Sequence, residues 1–75
     1  MTDNDEITVN ENTGADEAIR IAMERERKAR AFYMRCASIV KDPGVRKMFE
    51  FLAKEEGRHL ELLEKEHDRF IVSEN

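Results

Sequence analysis

Seventy-five residues allow one small domain at most, and chains this short bury a modest fraction of their surface and often need a metal, a cross-link or a partner chain. The single cysteine, Cys36, excludes an internal disulfide, and no apolar run approaches the roughly 20 residues that span a bilayer. Net charge is −4, but residues 1–17 hold six acids and no Lys or Arg, while the rest is a near-neutral mixture with no basic patch for nucleic acid.

Residues 1–14 are acidic and poor in apolar side chains, so they read as a flexible tail. Ile7-Thr8-Val9 is the one stretch there that could act as a short strand or docking peptide. With neither a basic n-region nor an apolar core at the N-terminus, a soluble cytoplasmic protein is expected. A helix is predicted over about 16–41, started by Gly14 and Asp16. Its seam runs through Ile19, Ala22, Glu26, Ala29, Tyr33, Cys36 and Val40 in steps of three and four. Met23, Phe32, Ala37 and Ile39 widen this apolar face beyond a narrow two-stranded zipper.

Asp42-Pro43-Gly44 then breaks the pattern. Asp42 suits an N-cap and Pro43 the first position of a second helix, predicted over about 43–70. Its seam is Val45, Phe49, Leu52, Glu56, His59, Leu63, Glu66 and Phe70, and residues 71–75 are expected to fray. So short a connection makes the helices antiparallel. The expected fold is all-α: a helical hairpin over 15–71 that dimerises into a four-helix bundle.

Glu26, Glu56 and His59 occupy positions otherwise reserved for apolar side chains, where a charged group is costly unless compensated. With the turn between Asp42 and Pro43, a rise of 1.5 Å per residue puts them roughly 25, 20 and 25 Å from it. All three therefore reach about the same level of the hairpin. Carboxylates with one imidazole suit iron, and manganese or zinc also accept this donor set. One hairpin supplies two Glu and one His, half of what a carboxylate-bridged pair of ions takes in a helical bundle. A two-fold dimer supplies the rest, so a homo-oligomer, either a dimer or a higher ring, is the expected functional unit.

The remaining polar and sulfur-bearing positions have plainer roles. Tyr33, two turns beyond Glu26, is either a core aromatic or a hydrogen-bonding, redox-active phenol beside the ligands. Cys36 lies about 15 Å along the axis from Glu26, too far to ligate, and reads as a core thiol. Glu66 and His67 read as a solvated pair, with a secondary metal site as the alternative. Glu24 reads as a surface acid.

Glu26-Arg27-Lys28-Ala29-Arg30-Ala31-Phe32-Tyr33, followed by Glu56-Gly57-Arg58-His59, resembles the rubrerythrin branch of the ferritin-like superfamily. Ala at +3 and an aromatic at +7 from the first Glu, and a later Glu-x-x-His, carry the resemblance over residues 16–70. The spacings of 30 and 33 from Glu26 are also similar to those of two-helix encapsulated ferritins. The resemblance implies that Glu26 and Glu56 are iron-ligating carboxylates, His59 is a terminal ligand and Tyr33 is a nearby tyrosine. It further implies a di-iron centre shared between chains, oxidising Fe(II) with dioxygen or peroxide in iron handling or oxidative-stress defence.

Partners implied are a separate electron donor, since no rubredoxin-like four-cysteine module is present, or an encapsulating shell protein. Arg25 and Lys28 stand where encapsulated ferritins carry acidic entry residues, and Ile71-Val72-Ser73-Glu74-Asn75 is a poor shell-docking peptide. The competing readings are a non-catalytic helical-hairpin interaction module and a metal site without turnover.

Overall fold

The computed structural model describes residues 8–73 and consists of two helices, α1 (Ala15–Ile39) and α2 (Pro43–Ser73), packed along their length. Ile7, part of the expected docking stretch, lies outside the described residues. Ahead of α1, Asn10 and Thr13 close a turn: the Thr13 N–H donates to the Asn10 carbonyl at 3.0 Å, and the Asn10 N–H to Thr13 Oγ1 at 2.9 Å. Thr8 and Val9 form no strand. Gly14 is the N-cap of α1 without a side-chain bond, and the acids Asp16 and Glu17 complement the dipole in the first turn.

Asp42 caps α2 as its side chain suggests. Oδ1 accepts the Val45 N–H at 2.9 Å, while the Asp42 carbonyl accepts the Arg46 N–H at 2.9 Å. Gly44 keeps room for this cap, since a Cβ there would come within 3.3 Å of Oδ1. α1 stops at Ile39, two residues short of expectation. Val40 turns extended (φ −67°, ψ 146°), and its carbonyl is taken by the Arg46 guanidinium at 3.0 Å instead of a helical N–H. α2 runs on to Ser73, because nothing after His67 is a Gly or Pro that would end it.

The Cα envelope measures 49 × 28 × 14 Å, so the hairpin is one helix deep in its thin direction. Each helix has one neighbour and can bury one side. Of the described side chains only Met23, Ala37 and Ala53 are buried apolar groups, along the line where the helices meet. Tyr33 stacks on Phe49 across that line, with ring centroids 6.1 Å apart. At the open end, His67 Nε2 lies 3.0 Å from Asp16 Oδ1 and ties the end of α2 to the start of α1.

Phe32 and Ile39 do not widen the core. They are 60% and 59% exposed, and Val45, Met48 and Leu62 on α2 are also open. At 3.6 residues per turn, Phe32 and Ile39 lie about 20° apart round α1, and Met48 and Leu62 about 40° apart round α2, so each pair shares one side of its helix. Cys36, expected in the core, is only half-buried beside them. No helix among the described residues is long and apolar enough to cross a membrane.

Candidate metal centre

Glu26 comes from the middle of α1, and Glu56 and His59 stand one turn apart on α2. The hairpin brings the three together at one level, as the rise arithmetic requires. One ligand atom from each lies within 4.8 Å of the other two. His59 Nδ1 is 3.6 Å from Glu56 Oε1 and 3.7 Å from Glu26 Oε1. Ligand atoms held about 2.0–2.2 Å from one ion lie roughly 3–4 Å from each other, so this spacing accepts a cation between them. Nδ1 is too distant for a good hydrogen bond to either oxygen.

The electrostatics agree with that fit. Glu26 Oε1 is buried and has no hydrogen-bond partner, the one such side-chain atom among the described residues. The pKa of Glu26 is raised above its ordinary 4.5. The neighbouring Glu56 carboxyl, which can accept a hydrogen bond from the protonated form, is the largest cause, followed by burial and by the Glu56 charge, while His59 pulls the other way. A cation would relieve all three raising effects at once, because it supplies the positive charge for which the proton stands in.

The three do not share one environment. Glu26 and Glu56 side chains keep 26% and 19% of their surface exposed, whereas His59 keeps 56%. The expectation that all three sit inward is corrected at His59, which stands on the open face. A two-helix layer covers the carboxylates at its seam but cannot cover a residue about 60° further round the helix.

The chain was also compared with known proteins, and the rubrerythrin family model matches residues 2–67. The chain belongs to the rubrerythrin family. Members of this family typically bind iron, and the match spans α1 and most of α2, including all three clustered residues. Compared with curated proteins and with solved structures, the chain matches none.

Other expected residues fall apart from the cluster. Tyr33 sits two turns nearer the hairpin turn, its ring held between Phe32 and Phe49. Glu24 pairs with Arg27 and Lys28 on the surface, as read from sequence. Glu66 pairs with Arg69 and His67 with Asp16, so those two do not form one site. The Asp16–His67 contact was missed by sequence reasoning. The same rise arithmetic signals it, since these residues lie at nearly equal distances from the turn.

Proposed function

We propose that two copies of this chain pair through the open face into a ferritin-like four-helix bundle, and that this homodimer holds two iron ions and oxidises Fe(II) with dioxygen or peroxide. The observation that carries the reading is the Glu26–Glu56–His59 cluster, with a buried, unpartnered oxygen at its centre, in a chain of the rubrerythrin family. Two hairpins related by a two-fold axis supply four carboxylates and two imidazoles, a full set for two bridged ions. A second copy is the occupant best matched to the open face. That face is apolar at Phe32, Ile39, Met48 and Leu62, and carries an exposed ligand, His59, among them.

Iron bound there would supply the one-electron change between Fe(II) and Fe(III) that reduces the oxidant. The chain's own residues set the conditions for it. Glu26, whose pKa is raised, would give up its proton when a cation takes its place, and the anionic oxygens of Glu26 and Glu56 would favour the higher charge of the ferric state. His59 contributes a neutral imidazole nitrogen and fixes the approach from α2. Apolar side chains of the paired faces exclude bulk water from the carboxylates. Tyr33, stacked on Phe49, sets the spacing of the helices near the site. Turnover beyond a first oxidation draws electrons from a separate donor.

The test adds Fe(II) anaerobically to metal-free protein, then admits dioxygen or peroxide and follows Fe(II) loss. Oxidation should outpace that of free Fe(II) and fall to its rate in Glu56→Ala and His59→Ala. Iron bound without faster oxidation would make this a metal site without turnover. No bound iron would leave the interaction module.

A further inference from the structure

We propose that the segment ahead of α1 is a strap over the side of α1 that a second copy needs, so that completing the metal centre requires its displacement. The inference rests on the paired-hairpin reading above. Ala18, Ala22, Arg25, Ala29, Phe32, Cys36 and Ile39 alternate in steps of four and three, a heptad stripe along α1 that borders the seam with α2. Such a stripe suits a further helix. It is open at Phe32 and Ile39. At its other end, Thr8 and Val9 share a groove of about 410 Å³ with Ala18, Ala22 and Arg25 of the stripe and with Ile21 beside them.

Ile21 shows what the segment covers. It lies about five full turns before Ile39 and so on the same side of α1. Ile39 is 59% exposed, whereas Ile21 is half-buried. α2 runs beside α1 at both levels, so the difference between them is the segment at Thr8 and Val9. The Asn10–Thr13 turn reverses the chain, and Thr8 and Val9 run back beside α1 as far as Arg25, well past its start at Ala15. Val9 keeps 54% of its surface exposed, so the strap is gripped on one side. Packed helices lie about 8–10 Å apart, and small residues such as Ala18 and Ala22 favour the close end of that range. That spacing leaves no room for a peptide chain between two helices. Ala22 is one turn from Glu26, the level at which a second copy must close on the ions. Strap and second copy therefore compete for one stretch of α1.

The experiment measures the dimer dissociation constant of the full-length protein by sedimentation, metal-free and with Fe(II) under anaerobic conditions. Val9→Ser removes the strap's apolar grip, and Thr13→Ala removes an acceptor from the turn that folds it back. Val9→Ser should tighten the dimer about fivefold, since it frees the stretch that the strap holds in the single hairpin. Thr13→Ala should act in the same direction. In the wild type, nuclear Overhauser contacts between the Val9 and Ile21 methyl groups should be present in the monomer and lost in the dimer. Variants that dimerise as the wild type does, or less well, would overturn the strap and leave the paired-hairpin reading standing, as would methyl contacts that persist in the dimer. Wild type and variants that all stay monomeric at every concentration, with and without Fe(II), would overturn that reading and the strap with it.

Discussion

His59 Nδ1 lies 3.7 Å from Glu26 Oε1, across the gap between two helices whose residues are 33 apart in sequence. That separation is right for a shared cation and too long for a strong hydrogen bond, so the contact gives the metal-free hairpin little. Replacing Glu26 with Leu should therefore raise metal-free stability, by about 1 kcal/mol, because it removes a buried oxygen with no partner. Fe(II) should stabilise the wild type, and the same variant should lose that stabilisation. Urea unfolding with and without the ion reads both effects.

The raised pKa of Glu26 fixes a direction with pH. The folded, metal-free chain holds a proton at pH values where the unfolded chain has released it. The stability contributed is full below the ordinary value of 4.5 and is lost as pH climbs through the raised one. Wild type should thus lose stability relative to Glu26→Gln as pH rises from 4 toward neutrality. Parallel unfolding curves across that range would speak against a raised Glu26 pKa. Metal binding runs the other way and should tighten as pH rises, since the ion displaces the proton.

Asp42 caps the longer helix at the one turn in the hairpin. Asp42→Ala should cost about 1 kcal/mol and lower Tm by roughly 4–8 °C. Iron stoichiometry should not change, because the cap lies far from the cluster.

At the open end, Asp16 and His67 link the helices at 3.0 Å. A double-mutant cycle on Asp16→Ala and His67→Ala should give a coupling of roughly 0.5–1 kcal/mol, since Asp16 is half exposed and well solvated. A coupling near zero would make the contact incidental.

Much of this was legible in sequence because it depends on period and rise. The three-four spacing gives both helices, Asp42-Pro43 gives the turn, and 1.5 Å per residue brings Glu26, Glu56 and His59 level. Periodicity was less able to say how far round each helix the partner reaches. Phe32 and Ile39 look like core from spacing, yet stand open because the hairpin is a single layer. His59 is exposed for the same reason. The end of α1 shifted because Arg46, seven residues after Ile39, takes the Val40 carbonyl, a contact that no local pattern encodes.

We propose that the Glu26–Glu56–His59 cluster is one half of an iron site completed at an interface between two chains. Native mass spectrometry of the metal-free protein titrated with Fe(II) without oxygen tests it most directly. The account predicts a dimer that carries two irons and forms more readily as the ion is added, and loss of both iron and added dimer in His59→Ala. Monomers that bind iron as tightly as any dimer would contradict it, as would dimers that take up none.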